Sequence, residues 1–337
     1  MKTHIEKCLA GEHLTVEEAS SALGTIMTGQ ATDAQIAGLL IALRAKGETV
    51  DELVGFARTM REHGIKLHIE DPNAIDMCGT GGDGLGTFNI STVASFVVAG
   101  AGVTVAKHGN RSVSSQSGSA DVLMSLGVNV QCSAETVEAC INRIGIGFMF
   151  APLFHPAMKH AAKSRMELGV RSIFNMVGPL TNPAGVKRQL IGVYNPQVAP
   201  LLAGALQKLG AEKACVVHSD DGLDEVTLSG GTVVQEVNGS EPLKEYRLQP
   251  KDFGLPQYSL ISLRGGDKKH NAEIALEVLQ GKKGPARDVV IANAALGIYI
   301  GGKTKTIIEG KQKAEESIDS GKAFEKLQQL IKYTDQP

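Results

Sequence analysis

The chain has 337 residues and a formal net charge of -2, with 42% hydrophobic and 21% charged residues, a composition typical of a soluble globular protein large enough for two domains. A net charge this close to zero gives no electrostatic footprint for nucleic acid, so we expect no nucleic-acid partner. The N-terminus has no basic start followed by an apolar stretch, and the most apolar window, 93–106, is too short for a bilayer. We therefore expect neither a secretory signal nor a membrane partner.

The five cysteines are scattered along the chain, odd in number and without the paired spacing of a metal site. This pattern predicts free thiols in a reducing compartment, and hence a cytoplasmic protein. It also argues against a zinc site.

Three segments near the N-terminus each open with a capping-box pattern, followed by apolar residues at helical spacing. The capping pairs are Thr15 with Glu18, Thr32 with Gln35, and Thr49 with Glu52. Gly47 and Gly64 follow the second and third segments, where a helix would end. The pattern predicts a small all-helical domain over residues 1–70.

The character of the sequence changes at Asp71-Pro72, where short apolar runs begin to alternate with helical stretches. The runs that resemble buried strands are 74–77, 103–106, 147–150, 190–194 and 214–218. Residues 226–228 and 232–237, joined around Gly230-Gly231, predict an antiparallel hairpin. The C-terminal segments 272–279, 288–300 and 307–331 return to helical periodicity. The expected fold class is α/β: a small N-terminal all-α domain and a larger α/β domain, residues 71–337, with a mostly parallel central sheet.

Residues 156–185 interrupt the alternation of strands and helices with a helix-like run, 157–168, and a turn-rich end. We interpret them as a segment that crosses back towards the helical domain. A ligand would then bind in the cleft between the two domains, at the carboxyl ends of the strands.

Two glycine- and hydroxyl-rich loops lie in tandem between residues 76 and 121. The first, Gly79 to Asp83, follows a predicted strand and precedes a helix that begins near Ser91; such a junction suits an anion, although a structural turn explains many such loops. Because Asp83 would repel phosphate, we expect it to face a ribose hydroxyl or a metal-bound water. Asn89, Ser91 and Thr92 could form a helix cap, but three polar groups exceed the need of a cap and favour a ligand.

The second loop begins at Lys107, which ends a predicted buried strand. An ammonium there would be costly unless it met an anion, so we predict a contact with phosphate. His108 follows, but a lone histidine is more often structural than catalytic. The polar surface continues through Asn110, Arg111, Ser114, Ser115 and Ser119. Ser119 could instead cap the next helix.

Four carboxylates cluster within residues 220–225. Acidic turns are usually only solvated, but Asp224 and Glu225, next to a predicted strand, suit a magnesium ion, Mg²⁺, opposite a phosphate site. Arg165 lies on the helix-like run; a surface position is the default, whereas an arginine in the cleft could hold a substrate carboxylate with two hydrogen bonds. No motif for covalent catalysis is found, so we assign no catalytic residue and expect catalysis by positioning and charge stabilisation.

These motifs, in this order and over nearly the whole chain, resemble the anthranilate phosphoribosyltransferase family. The segments that carry the resemblance are 79–83, 89–92, 107–111, 114–115, 118–121, 155–158, 175–183 and 222–225. The resemblance implies an enzyme of tryptophan biosynthesis that joins anthranilate to phosphoribosyl diphosphate with Mg²⁺ as cofactor. It also implies a fold shared with pyrimidine nucleoside phosphorylases, and a homodimer built through the helical domain.

The resemblance further implies a role for individual residues. Phosphoribosyl diphosphate would be held by Gly79, Gly82, Asp83, Thr87, Asn89, Ile90, Ser91, Thr92, Lys107 and Ser119. Anthranilate would be held by Gly79, Asn110 and Arg165, and Mg²⁺ by Ser91, Asp224 and Glu225. Met124 and Met166 depart from the family pattern, which often has an acidic residue and a second arginine there, but neither position has an assigned role.

Other functions stay open at this point. A nucleoside phosphorylase of the same fold would use phosphate and need no site for diphosphate and metal, and the Asp224-Glu225 pair argues against it. A non-catalytic relative that binds nucleic acid would need a basic surface, which the net charge argues against. A regulatory protein that only binds a metabolite would not be expected to retain the full set of motifs.

Overall fold

The computed structural model describes residues 1–111 and 117–335, and it begins with a group of four helices. These are α1 (Lys2–Leu9), α2 (Val16–Met27), α3 (Asp33–Lys46) and α4 (Val50–His63). The three predicted capping boxes are present at the starts of α2, α3 and α4. Gly47 and Gly64 occupy the C-terminal caps of α3 and α4. The local signals therefore predicted these helix ends correctly.

The Glu52 side chain joins three parts of the helical domain. It is 0% exposed and accepts hydrogen bonds from the N–H groups of Leu14 and Thr49, each at 2.9 Å. The ammonium of Lys46, itself 4% exposed, donates to the same carboxylate at 2.8 Å. Because a buried charge is costly unless it is fully paired, these contacts hold the start of α4 against the ends of its neighbours.

The rest of the chain forms a seven-stranded sheet with helices on its faces. Its elements are β1 (Ile75–Gly79), α5 (Ile90–Gly100), β2 (Val105–Gly109), α6 (Ser119–Ser125), α7 (Ala134–Ile144), β3 (Ile146–Phe150), α8 (Ala151–Phe154), α9 (Lys159–Leu168), α10 (Ile173–Val177), β4 (Arg188–Gly192), α11 (Val198–Lys208), β5 (Lys213–Ser219), β6 (Thr232–Asn238), β7 (Lys244–Leu248), α12 (Lys268–Leu279), α13 (Pro285–Ile300), α14 (Ile307–Asp319) and α15 (Lys322–Thr334). The strand order is β3-β2-β1-β4-β5-β6-β7, and β1 to β5 are parallel. The predicted fold class is confirmed.

The structure corrects two predicted elements. Residues 226–228 form no strand, because the backbone N–H and C=O of Val226 are both bonded to the side-chain amide of Asn293, each at 2.9 Å. The antiparallel hairpin is instead β6 with β7, and β6 also pairs antiparallel with β5. The run 307–331 is two helices, α14 and α15, which separate at Gly321, where φ is +80°.

The segment between β3 and β4 packs against the N-terminal helices. α9 lies against α2 and α3, and α10 and the 3₁₀ turn Gly178–Thr181 lie against α4. Lys163 forms an ion pair with Asp33 at 2.7 Å, and the Arg61 guanidinium donates to the Leu180 carbonyl at 2.7 Å. These contacts place α9 and α10 beside the helical domain, although the chain on either side of them belongs to the sheet.

The apolar core lies on both faces of the sheet, as the alternation of side chains along β4 shows. Leu190 packs into a cluster with α5 and α13, whereas Ile191 packs into a second cluster with α11 and the N-terminal helices. The helical domain therefore shares a core with one face of the sheet. Within the residues that the structure describes, no helix is both long and apolar enough to cross a membrane.

The pairing of Glu52 gives a prediction for stability. Glu52→Gln should lower the free energy of unfolding by about 3 to 5 kcal/mol, because it leaves the buried Lys46 ammonium without its counter-charge. Urea unfolding followed by circular dichroism measures the change. The control is Glu6→Gln in the exposed Lys2–Glu6 pair, which should unfold as wild type does. Equal effects of the two substitutions would show that the buried pair is not important for stability.

Candidate active site

Both predicted loops start at the carboxyl-terminal edge of the sheet, at its topological switch point. This edge is called the sheet edge below. After β1 the chain adds β2 and β3 on one side, and β4 and β5 on the other, so β1 and β4 are neighbours whose following connections lead to opposite sides of the sheet. Gly79 at the end of β1 pairs in register with Gly192 at the end of β4. Ligand sites of open α/β sheets form at this kind of position.

The first loop is packed closely against the neighbouring strand and the acidic segment. The Thr80 N–H donates to the Gly192 carbonyl at 2.9 Å. A Cβ at Gly192 would lie 1.6 Å from the Asp224 carbonyl oxygen, and one at Gly79 would lie 3.2 Å from Asp224 Oδ2. Only glycine at position 192 allows the acidic segment to lie this close to the strand end. Asp83 Oδ1 accepts the Leu85 N–H at 3.1 Å, which shapes the middle of the loop.

The start of α5 lacks the side-chain hydrogen bond of an ordinary N-cap. Asn89 occupies the N-cap position, but its side chain makes no capping hydrogen bond. Its amide donates to the Ser117 carbonyl and accepts from the side chain of Asn271, each at 3.1 Å, so Asn89 lies at the N-cap position but does not cap the helix with its side chain. Ile90 is buried, and only its backbone can face a ligand. The buried Thr92 hydroxyl has no hydrogen-bond partner among the described residues.

Thr87 lies in the same loop and pairs with a segment much later in the chain. It forms an isolated antiparallel bridge with Arg264. The flanking bonds are Phe88 N–H to the Leu263 carbonyl at 3.3 Å and Gly265 N–H to the Gly86 carbonyl at 2.9 Å. The segment before α12 therefore supports the loop that leads into α5.

The acidic pair contacts the two parts of the first loop. Glu225 Oε1 accepts the Ser91 N–H at 3.0 Å, and the side chains of Asp224 and Asp83 are hydrogen-bonded to each other. Burial raises the pKa of Glu225 to about 7, against the opposing charge of Lys107. Burial, followed by the charges of Glu225 and Asp83, raises the pKa of Asp224 well above its ordinary value. Negative charge is thus concentrated, and partly suppressed by protonation, at the sheet edge.

Lys107 is 4% exposed, and its ammonium donates to the Met77 carbonyl on β1. Asp76, one residue earlier on β1, is 0% exposed and accepts the His108 N–H at 3.0 Å and the Asn182 side-chain amide at 2.8 Å. Burial raises the pKa values of Asp76 and Glu225, and the charge of Lys107 opposes this effect on both. The lysine is therefore held at the sheet edge beside the acidic pair.

His108 is buried next to His155, with ring centroids 5.2 Å apart. Burial, and then the neighbouring charges of His155 and Lys107, lower the pKa of His108 to about 3. The ring is therefore neutral at physiological pH. Its Nε2 has no partner within the described part of the chain.

Asn110 and Ser119 meet at the second loop, where the Ser119 hydroxyl donates to the Asn110 carbonyl at 3.2 Å. Gly118 is the N-cap of α6, so the alternative that Ser119 is a cap is wrong. Ser114 and Ser115 lie outside the described residues. Arg165 lies on α9, with its guanidinium carbon 4.9 Å from the centre of the Phe174 ring, and forms no hydrogen bond to either loop within residues 1–111 and 117–335. The structure thus brings residues of both loops to the carboxyl-terminal edge of the sheet and places Arg165 beside the helical domain.

The oxygen atoms of the acidic pair and of Ser91 suit a magnesium ion. Asp224, Glu225 and the Ser91 hydroxyl offer hard oxygen atoms, and a cation would offset the burial, and the charge of neighbouring carboxylates, that raise the pKa values of both carboxyl groups. Across the described ranges, no three His, Cys, Asp or Glu side chains converge to hold a metal by themselves. Mg²⁺ commonly takes only one or two carboxylates and completes its shell with phosphate oxygens and water.

Three residues of the site had no role in the sequence analysis. Arg171 donates to the Gly82 carbonyl and stacks on Tyr194. Asp76 and Asn182 join β1, β2 and the end of the crossing segment. An acidic residue inside an apolar strand was a signal that could have identified Asp76. The sequence around Arg171 and Asn182 contains no comparable signal.

Two family models match the chain. The helical bundle domain of the glycosyl transferase family matches residues 2–64, and the a/b domain of that family matches residues 71–324. Together the matched ranges cover both parts of the fold described above.

Curated relatives and solved structures agree with these matches. Anthranilate phosphoribosyltransferase of Pelotomaculum thermopropionicum is 52% identical over 99% of this chain and 96% of its own, and that of Syntrophobacter fumaroxidans is 53% identical over 98% of each. The crystal structure of anthranilate phosphoribosyltransferase (TrpD) from Thermus thermophilus superposes with a TM-score of 0.94 at 42% identity, covering 99% of both chains.

A second solved structure has ligands bound. The Saccharomyces cerevisiae enzyme in complex with PRPP and Mg has a TM-score of 0.91 at 30% identity, covering 99% of this chain and 97% of that one. Sequence identity near one half along the full length, the shared fold and the order of the loops at the sheet edge agree: the chain belongs to the anthranilate phosphoribosyltransferase family.

Proposed function

We propose that the protein transfers the 5-phosphoribosyl group of phosphoribosyl diphosphate to the amine of anthranilate, giving N-(5-phosphoribosyl)anthranilate and diphosphate. This is the reaction of the family to which the chain belongs, and it makes the protein a pentosyltransferase of tryptophan biosynthesis. The observation that carries the proposal is the meeting of a glycine loop, a helix start, a buried lysine and an acidic pair at one sheet edge. A diphosphate leaving group, which carries several negative charges, would need this combination of a helix start, an ammonium and metal ligands.

The donor side of the reaction follows from these groups. The residues proposed for phosphoribosyl diphosphate are Gly79, Gly82, Asp83, Thr87, Asn89, Ile90, Ser91, Thr92, Lys107 and Ser119. The positive end of the α5 dipole and the Lys107 ammonium would stabilise negative charge on the diphosphate as its bond to the ribose anomeric carbon breaks. The unpartnered Thr92 hydroxyl supports a ligand at this helix start.

Mg²⁺ would be held by Asp224, Glu225 and Ser91. The Saccharomyces cerevisiae relative was solved in complex with PRPP and Mg, which supports the same ion here. When bound, the ion neutralises diphosphate charge and so improves the leaving group. Asp224 and Glu225 must lose their protons to serve as ligands, so binding should release protons near neutral pH.

No residue is proposed as an acid or base. The amine of anthranilate is neutral at pH 7, and it attacks the anomeric carbon as the bond to diphosphate breaks. The nitrogen becomes acidic once it is bonded to carbon, so its proton passes to water without a strong base. The neutral His108, with a pKa of about 3, is too weak to take that proton in the transition state.

The acceptor would contact Gly79, Asn110 and Arg165. Another solved structure of the Saccharomyces cerevisiae relative, at a TM-score of 0.89, is in complex with 4-fluoroanthranilate, which supports an aromatic amino acid as ligand. Burial lowers the pKa of Arg165, and no carboxylate of the described residues offsets that effect. A desolvated guanidinium without a counter-charge favours a substrate carboxylate.

The organisation of the chain belongs to the same proposal. We assign residues 1–70 and the crossing segment 156–185 to the helical domain, and the rest of 71–337 to the catalytic α/β domain. Leu9 on α1 and Ile41 on α3 are exposed, at 72% and 43%, which supports a homodimer through the helical domain. The five free cysteines support a cytoplasmic location.

The direct test is an assay in which the purified protein is mixed with anthranilate, Mg²⁺ and phosphoribosyl diphosphate. Anthranilate fluorescence should fall with time, because the amine becomes substituted. The parallel reaction contains a pyrimidine nucleoside and inorganic phosphate and should give no free base. Cleavage of the nucleoside without loss of anthranilate would replace the proposal with the nucleoside phosphorylase alternative.

Arg165→Ala should raise the KM for anthranilate about 10- to 100-fold, since a charge-assisted hydrogen-bonded pair contributes about 1.5 to 3 kcal/mol. The KM for phosphoribosyl diphosphate should change less than about threefold, because its proposed contacts lie on the sheet edge. Initial-rate kinetics with each substrate varied in turn measure both values. Lys159→Ala, an exposed change on the same helix, is the control. Equal increases in both KM values would remove the role of Arg165 as a carboxylate ligand.

The raised pKa of Glu225 predicts how stability depends on pH without metal. The folded-state pKa of about 7 exceeds the ordinary 4.5, so the folded protein binds more protons than the unfolded chain between these values, and stability from this group falls as pH rises. Glu225→Gln should therefore melt close to wild type at pH 5 and at a higher temperature than wild type at pH 8. Melting curves at both pH values, with an exposed Glu273→Gln control, test this.

Mg²⁺ with diphosphate should reverse that order. The ligands should raise the melting temperature of wild type at pH 8 and leave Glu225→Gln nearly unchanged, because the variant lacks a proposed metal ligand. A variant that tracks wild type at both pH values, with and without ligands, would contradict the placement of Glu225 in the site.

A further inference from the structure

Arg171 lies on the connection between α9 and α10 and reaches into the first loop of the site. Its guanidinium donates to the Gly82 carbonyl, and it also stacks on the Tyr194 ring, with the guanidinium carbon 3.6 Å from the ring centre. Neither Arg171 nor Tyr194 belongs to the proposed substrate contacts or to the acidic pair. The contact joins the crossing segment, the glycine loop and the end of β4.

The loop and the arginine are fitted to each other. Gly82 has φ of +84°, a conformation that side chains disfavour, and a Cβ there would lie 2.5 Å from Nη2 of Arg171. A planar guanidinium can donate in its plane and stack with its face at the same time, which a lysine ammonium cannot do. The contact therefore requires a glycine at position 82 and an arginine at position 171.

The remaining bonds of the loop leave its middle dependent on Arg171. At one end the Thr80 N–H is bonded to the Gly192 carbonyl, and at the other Gly86 and Phe88 are bonded to residues 263–265. Between them, the bond from Leu85 to Asp83 is internal to the loop, and the Asp83 side chain is bonded to that of Asp224. Among the described residues, the bond from the Arg171 side chain to the Gly82 carbonyl is the hydrogen bond that joins the backbone in the middle of the loop to another segment.

We propose that Arg171 is a positioning residue for the phosphoribosyl diphosphate loop. It holds the Gly82 carbonyl away from the site, so that the neighbouring amides face the diphosphate, and the Tyr194 ring holds the guanidinium in place. The inference rests on the proposed function. It assigns Arg171 to the donor substrate, although the residue lies only six positions after Arg165, which is proposed for the acceptor.

Steady-state kinetics separate these two assignments. Arg171→Ala should raise the KM for phosphoribosyl diphosphate about tenfold or more and change the KM for anthranilate, measured at saturating donor, less than about threefold. This is the reverse of the pattern expected for Arg165→Ala. Arg171→Lys should recover little, because the ammonium cannot both stack and donate, and Tyr194→Leu should shift the donor KM in the same direction by a smaller factor. Arg143→Ala, an exposed arginine on α7, should match wild type.

Hydrogen exchange of the substrate-free protein gives a readout that does not depend on activity. In Arg171→Ala, peptides covering residues 80–88 should exchange faster than in wild type, while peptides from α9 and α10 and the melting temperature should be unchanged. If wild type fails to consume anthranilate, the proposed function fails, and the exchange result still decides whether Arg171 holds the loop. Unchanged exchange of residues 80–88, or equal increases in both KM values together with a lower melting temperature, would overturn the inference.

Discussion

The buried carboxylate of Asp76 is the group on which the geometry of the site depends. It accepts the His108 N–H from β2 and the Asn182 side-chain amide, which also donates to the Ala106 carbonyl at 2.9 Å. One side chain on β1 thereby fixes β2 and the end of the crossing segment. Both polar loops begin within three residues of these bonds, so their starting points cannot move independently. A buried carboxylate is costly, and its hydrogen bonds and the charge of Lys107 offset that cost.

The charges at the sheet edge do not balance in the free protein, whereas a bound cation would balance them. Lys107 opposes the burial of Asp76 and Glu225, but Asp83 and Asp224 add negative charge beside them. Without a cation the fold tolerates this by binding protons, which is the physical meaning of the raised pKa values. In the proposed site, a metal ion with its diphosphate would replace those protons and bring anionic oxygen to Lys107. The residues whose burial costs stability would then provide affinity for the charged substrate.

How far the sequence could predict this structure depends on the range of each interaction. The capping boxes at Thr15, Thr32 and Thr49 act over three residues, so the helix starts were predictable. The hairpin at 226–237 was wrong because Asn293, 67 residues later, takes the backbone bonds of Val226. For the same reason the sequence could not exclude a side-chain cap at Asn89, since its partners Ser117 and Asn271 are distant in sequence. Residues in glycine-rich or acidic motifs could be named as site candidates from the sequence, whereas Arg171 and Asn182 act through contacts with residues distant in the chain, which leave no local pattern.

The two halves of the proposed site are supported by different parts of the fold. The donor loops extend from strands whose hydrogen bonds fix them, whereas α9 with Arg165 is held to α3 through Asp33, which bonds Lys163 and Ser164. No hydrogen bond joins Arg165 to the donor loops within the described residues. The distance between acceptor and donor is therefore set by how the N-terminal helices pack against the sheet. That packing is apolar and continuous, since Ile191 and Val216 share a cluster with Leu43 and Phe56. Because close-packed apolar surfaces resist compression, this packing fixes the separation.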